Sequence, residues 1–131
     1  MGQQQLLLII LGVIIVGIAI AVGLSLFSAQ SIQSNKDAII NDLNNIAAQA
    51  YQYKIRPSSM AGGNGFYTGF KIPGKMATNA NAIYGSTAAA DGQSVAFTAT
   101  SQSNTANIVY CTIDSEGKFT TDGWSYTNDF Q

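Results

Sequence analysis

The chain has 131 residues, with six Lys and Arg against seven Asp and Glu, so its net charge of −1 gives no electrostatic case for binding nucleic acid or an anionic membrane surface. It has no histidine and one cysteine, so the commonest general base is missing and no intrachain disulfide can form. These counts argue against an enzyme, and we expect no catalytic residue, no metal site and no cofactor.

The chain begins with a segment that is apolar enough to span a membrane. From Leu6 to Phe27 there is no charged residue, and Ser25 is the only polar one. At about 1.5 Å per residue, a helix of this length crosses the ~30 Å hydrocarbon core of a bilayer. We therefore predict that residues 1–28 form a helix that lies in a membrane or in the core of an assembly.

Two ordinary membrane signals remain as alternatives for this segment. A secretory signal peptide has a basic stretch before its apolar core; no Lys or Arg precedes Leu6, although Ser28-Ala29 could serve as a cleavage site. A conventional single-pass anchor is oriented by flanking basic residues, and the nearest one here is Lys36.

The same helix is predicted to continue as an amphipathic helix over residues 29–56. No Pro or Gly occurs between Ser25 and Pro57, and Pro57 should end the helix near Lys54 to Arg56. Polar residues, Asp42 among them, are predicted to lie mostly off the apolar stripe. The stripe, which we expect to pack on a sheet, consists of Ile32, Ile39, Leu43, Ile46, Ala50 and Tyr53.

Residues 57–131 are predicted to form a glycine-rich loop followed by a small antiparallel β domain. The stretch from Pro57 to Lys75 is rich in glycine and holds both prolines, which excludes a long regular element. Four runs rich in β-branched and aromatic residues follow: NAIYGSTAA, SVAFTATS, NIVYCTID and GKFTT. The turn-forming stretches ADGQ, SQSNTA and DSEG separate them. The fold class is therefore α+β, with one long N-terminal helix on a small antiparallel sheet.

The layout resembles a type IV pilin or a pilin-like filament subunit. The resemblance rests on the immediate apolar helix LLLIILGVIIVGIAIAVGL, its uninterrupted extension to AYQYKIRP, and the small β domain reached through a glycine-rich loop. It implies a subunit of an extracellular helical filament that polymerises through its apolar helix. It also implies an inner-membrane location before assembly, a cell-surface location afterwards, and dependence on a prepilin peptidase and a pilus assembly machinery.

The resemblance also implies N-terminal processing. Pilins lose a short basic leader and are methylated on the new N-terminal amine, which makes Met1 the expected processed residue; cleavage after Gly2, leaving Gln3 first, is the alternative. Gln5 departs from the pilin pattern, which has a glutamate there, because an amide accepts a hydrogen bond from an ammonium group but does not neutralise it. The lone Cys111 departs from pilins that close a C-terminal disulfide.

The residues expected in the filament core are all drawn from the apolar segment. They are Gln5, Leu6, Leu7, Leu8, Ile9, Ile10, Leu11, Val13, Ile14, Ile15, Val16, Ile18, Ile20, Val22 and Leu24. Gly17 and Gly23 are candidates for a stretch that leaves the helical conformation in the filament, since glycine loses least by doing so. They also fit the ordinary role of small residues between membrane helices. The alternative function is a monomeric, membrane-anchored β domain that binds a ligand or partner.

Several sequence features are better explained by structure than by binding. DSEG at residues 114–117 lacks the further oxygen ligands of a calcium loop and is predicted to be a hairpin turn. Asp91-Gly92 and Asp122-Gly123 are also predicted turns. The aromatic residues are expected to pack in the core and between subunits.

Overall fold

The computed structural model describes residues 2–121 and 123–131. Met1, the expected site of processing and methylation, and Asp122, half of a predicted turn, lie outside the described residues. The chain forms two compact units. The N-terminal unit ends at Ser34, and the C-terminal unit runs from Asn35 to Gln131.

A single helix, α1, spans Gly2–Ile55. It ends two residues before Pro57, as predicted, because proline cannot continue the helical hydrogen bonding and disfavours helical angles in the residue before it. The following loop caps carbonyls at the end of α1 that have no partner within the helix. The N–H groups of Gly63, Asn64 and Gly65 donate to the carbonyls of Tyr53, Arg56 and Lys54 at 2.7–3.0 Å.

The segment between α1 and the sheet has little regular structure. It contains a short 3₁₀ turn at Ser58–Met60 and a four-residue helix, α2, at Gly74–Ala77. This agrees with the predicted glycine-rich loop. Tyr67 lies in this segment with its ring fully buried, and its hydroxyl donates to the carbonyl of Asp114 at 2.7 Å.

The sheet has four antiparallel strands in sequence order. They are β1 (Ala82–Ala88), β2 (Val95–Ser101), β3 (Ile108–Ile113) and β4 (Ser125–Tyr126). Tyr84 of β1 lies opposite Ala99 of β2, and Phe97 of β2 lies opposite Cys111 of β3. The fold is α+β, a long N-terminal helix packed on a small antiparallel sheet, as the sequence predicts.

The prediction of a strand in GKFTT is wrong. Phe119 forms only an isolated bridge with Ile113, and the last strand is Ser125–Tyr126, which pairs with β3 at Val109 and Tyr110. The N–H of Thr120 donates to the Thr112 carbonyl at 3.0 Å. Three residues later, the N–H of Gly123 donates to the carbonyl of Thr120 at 2.8 Å. This turn interrupts the pairing, so only the short stretch beyond it rejoins the sheet.

The core lies between the second half of α1 and one face of the sheet. Full burial of each large apolar side chain in this core stabilises the fold by roughly 1.5–3 kcal/mol relative to leaving it exposed. The buried apolar residues are Ile39, Leu43, Ile46, Ala47 and Ala50 of α1, Tyr67 of the loop, Ala82, Tyr84, Val95, Phe97, Ala99, Val109, Cys111 and Ile113 of the sheet, and Phe130.

Candidate functional site

The most distinctive surface of the protein is the apolar first half of α1. From Leu6 to Phe27, the large aliphatic side chains and the Phe27 ring are 53–72% exposed. They occupy every side of the helix, whereas a helix that rests on one protein surface needs a single apolar stripe. This surface therefore requires an apolar environment all round, either lipid or other protein.

All residues predicted for the filament core belong to this exposed surface. They are Gln5, Leu6, Leu7, Leu8, Ile9, Ile10, Leu11, Val13, Ile14, Ile15, Val16, Ile18, Ile20, Val22 and Leu24. Among the described residues, α1 is the one helix that is long and apolar enough to cross a membrane.

The glycines of this segment are not required by the packing of the chain itself. A Cβ added to Gly12, Gly17 or Gly23 would meet no atom within 4 Å. The helix is continuous through all three in the single chain. The predicted departure from helix at Gly17 and Gly23 concerns the assembled state and stays a prediction.

A polar clamp fixes α1 to the sheet in the C-terminal unit. One oxygen of the Asp42 carboxylate accepts hydrogen bonds from the Tyr84 hydroxyl at 2.6 Å, from the Asn79 amide at 2.9 Å and from the Asn81 amide at 3.4 Å. Asn79 in turn accepts from the N–H groups of Asn81 and Ala82. Asp42 therefore organises the entry to β1, a role that its predicted position off the stripe did not indicate.

Two further contacts between α1 and the β domain were not predicted from the sequence. Near the start of the C-terminal unit, the buried Ser101 hydroxyl donates to the Asn35 side chain at 2.7 Å. Near the end of α1, the buried Lys54 ammonium donates to the Ser115 carbonyl and lies 5.4 Å from the centre of the Tyr67 ring. These contacts hold both ends of the amphipathic helix to the β domain.

Four of the six residues of the predicted apolar stripe lie in the core between α1 and the sheet. Ile39, Leu43, Ile46 and Ala50 are fully buried, as expected for residues that pack on the sheet. Ile32 belongs to the N-terminal unit and is half-buried. Tyr53 is half-buried, and its ring lies 5.6 Å from that of Phe70, centre to centre, so it packs on the loop; Phe70 in turn contacts Phe97 of β2.

The buried thiol and the buried phenols are held in their neutral forms. Burial raises the pKa of the Cys111 thiol to about 12, and burial together with the nearby Asp114 carboxylate raises the pKa of Tyr67 to about 12. Burial, the hydrogen bond to Asp42 and the charge of Asp42 raise the pKa of Tyr84 further. Burial also raises the pKa of Tyr126. A thiol with a raised pKa is a poor nucleophile, so Cys111 serves packing.

The turn motifs and aromatic residues that the sequence analysis assigns to structure, not to binding, do have structural roles among the described residues. The Asp114 carboxylate accepts from the N–H groups of Glu116 and Lys118, which shapes the DSEG turn, and the Asp91 carboxylate accepts from the N–H of Gln93. No group of three His, Cys, Asp or Glu side chains converges as a metal site among residues 2–121 and 123–131. Phe119, Trp124 and Tyr126 pack in a row, with ring centres 4.8 and 6.3 Å apart.

Comparisons with protein-family models, with curated proteins and with solved structures found no match to this chain.

Proposed function

We propose that this protein is the structural subunit of an extracellular filament of the type IV pilus kind, in which many copies associate through the apolar half of α1. The observation that carries the proposal is the uncharged surface from Leu6 to Phe27, exposed on every side of the helix. Removing apolar surface from water contributes roughly 25 cal/mol per Å². Compared with exposure to water, a bundle of such helices would therefore gain tens of kcal/mol per subunit before entropic costs. Compared with lipid, which is equally apolar, the gain comes only from helix packing and is far smaller.

The open-ended form of the assembly follows from the shape of the interaction. When one patch on a copy binds a different patch on the next copy without closing a ring, a helical polymer results. In this proposal, lipid holds the same apolar surface before assembly, at the cytoplasmic membrane, and the β domain is displayed on the finished filament at the cell surface. Processing and methylation at Met1 belong to the proposal and stay predictions.

The alternative is a monomer that is anchored in the membrane by the same helix and binds a partner through its β domain. The length of the apolar helix favours this alternative as much as it favours the filament. The two differ in what surrounds residues 6–24: other copies of the chain in the filament, and lipid in the monomer.

A cysteine cross-linking experiment separates them. Because Cys111 is buried, a single added cysteine at the exposed Ile15 reports on the neighbours of the helix. In material sheared from the cell surface, Ile15→Cys should give disulfide-linked copies whose yield does not fall when excess lipid is added before oxidation. A yield that falls in proportion to lipid dilution, with the unsubstituted chain as the background, would assign the protein to the membrane as a monomer.

A further inference from the structure

A groove in the C-terminal unit lies where the last turns of α1 meet the loop that follows it. Its volume is about 350 Å³, at the lower end of the range for small-molecule sites. The side chains that matter for binding are Gln49, Gln52, Tyr53, Arg56, Phe70 and Lys71. They supply two amides, two aromatic rings and two cations around one opening.

The walls of the groove are held in place by the fold. The Tyr53 hydroxyl donates to the Thr68 carbonyl at 2.9 Å, and the Tyr53 ring packs on Phe70, which is anchored edge-on against Phe97. Gly69 has a φ of +84°, and a Cβ there would lie 3.1 Å from the Tyr53 hydroxyl. The loop can therefore follow the helix closely, and the groove is formed before any ligand arrives.

The two cations of the groove are not neutralised by the protein. In the described part of the chain, the side chains of Arg56 and Lys71 have neither an ion pair nor a hydrogen bond, whereas Lys118 pairs with Glu116 at 3.2 Å and Lys54 donates to the Ser115 carbonyl. The negative end of the helix dipole opposes an anion here. It is partly offset, because loop N–H groups cap the carbonyls of Tyr53, Lys54 and Arg56.

We propose that this groove binds a saccharide that carries a carboxylate, such as a uronic acid unit. A guanidinium binds a carboxylate through two parallel hydrogen bonds, and the ammonium of Lys71 adds a second positive charge. The Gln52 amide can donate to and accept from hydroxyl groups; the NH₂ group of Gln49 donates one hydrogen to the Met76 sulfur at 3.1 Å, which leaves its second hydrogen and its carbonyl oxygen for the ligand. The aromatic rings offer an apolar surface for the C–H face of a sugar ring.

A carboxylate could also come from an acidic side chain of a second copy of the chain. Such a side chain would use the two cations and leave the amides and rings without a role, so the combination in the groove favours the saccharide. The proposal does not depend on filament formation, since it concerns a groove contained within one copy.

The test is an NMR titration of the ¹⁵N-labelled full chain in detergent micelles, with tri-galacturonate as the probe and neutral maltotriose as its matched control. We expect tri-galacturonate to shift the amide signals of the groove, to bind more weakly as salt is added, and to bind better than maltotriose. Arg56→Gln and Lys71→Gln should each weaken binding about tenfold. Lys75→Gln, which removes the same charge from the neighbouring helix α2, should change it less than about twofold.

Three results would overturn the proposal. They are shifts of equal size with maltotriose, equal binding of acetate at the same carboxylate concentration, which would point to a simple anion site, and binding that Arg56→Gln leaves unchanged. Each variant is checked for folding by the fluorescence of Trp124, the only tryptophan. Because the micelle-bound chain is not assembled, failure here leaves the filament proposal standing.

Discussion

At the scale of single residues, the β domain is fastened to the helix by polar groups that are partly or fully buried and that are hydrogen-bonded. The Asp42 carboxylate accepts three hydrogen bonds, from Tyr84, Asn79 and Asn81, and no buried side-chain nitrogen or oxygen lacks a partner among the described residues. Leaving such a group unpaired would cost about 1–3 kcal/mol. The paired groups therefore fix one arrangement of helix and sheet.

The same burial makes the domain sensitive to alkaline pH. The raised pKa values of Tyr67 and Cys111, both about 12, and of Tyr84 mean that the folded chain holds these protons more tightly than the unfolded chain does. The unfolded groups ionise at their ordinary pKa values of roughly 8.5–10. Their stabilising contribution is therefore complete below about pH 8 and is lost as the pH rises toward 12.

We expect the urea midpoint of the full chain in micelles, followed by the emission wavelength of Trp124, to fall steadily between about pH 8 and 11. Tyr67→Phe and Tyr84→Phe should each make this fall shallower, while Tyr110→Phe, at an exposed ring, should leave it unchanged. A midpoint that stays constant over this range would contradict the assigned environments of these groups.

Asp42 also shows where reading the sequence failed. It lies three residues after Ile39 and four before Ile46, so helical spacing alone places it on the buried face. It is one of the polar residues that are predicted to lie mostly off the stripe. Its partners come from a loop and a strand about 40 residues later, and that pairing is not visible in local spacing. Lys54, four residues after Ala50, was missed for the same reason.

At the scale of elements, the helix was predictable and the edge of the sheet was not. The course of α1 follows from local facts: the absence of Pro and Gly after Ser25, and the stop at Pro57. β1, β2 and β3 follow from alternating patterns between clear turns. Strand β4 is two residues long and is defined by its partner in β3. GKFTT has the composition of a strand, but a turn that begins at Thr120 removes it from the sheet.

The apolar stripe of α1 should be essential for folding of the β domain. Leu43 is fully buried and Asn44, the next residue, is exposed. Leu43→Asp places an unpaired charge in the core and should cost about 4 kcal/mol or more, enough to unfold the domain. Asn44→Asp introduces the same charge at the surface and should change stability by about 0.5 kcal/mol or less.

The measurement is thermal unfolding of both variants in micelles, followed by Trp124 fluorescence. Equal loss of stability in Leu43→Asp and Asn44→Asp would show that the buried face of the helix has been misassigned. The same comparison at Ile46, also fully buried, provides an independent check on the stripe.

At the scale of the whole molecule, the two compact units meet different requirements. The C-terminal unit buries its own apolar core, whereas the large apolar residues from Leu6 to Phe27 in the N-terminal unit remain exposed. The sequence predicted this exposed segment from hydropathy alone. The surroundings of this segment consist of other copies of the chain or of lipid. They therefore follow from neither the sequence nor the fold of one chain.

The glycines of the apolar segment should govern the mechanics of the proposed filament. Replacing Gly17 and Gly23 with Ala favours the helix by roughly 1 kcal/mol at each position, and neither added Cβ would clash within the chain. Backbone groups must be paired in lipid, so the segment is helical there in either case. The double variant should insert into membranes normally and form stiffer filaments, as judged by persistence length in electron micrographs. An unchanged persistence length would remove the role given to these residues.

In the proposed filament, copies of this chain surround one another through residues 6–24. Electron microscopy of filaments sheared from the cell surface, combined with mass spectrometry of their protein content, tests it most directly. We expect micrometre-long filaments that contain this chain as their subunit, with the apolar helices at the centre of a helical reconstruction and the β domains outside. Finding the chain only in membrane fractions, as dispersed single copies with lipid around residues 6–24, would contradict it.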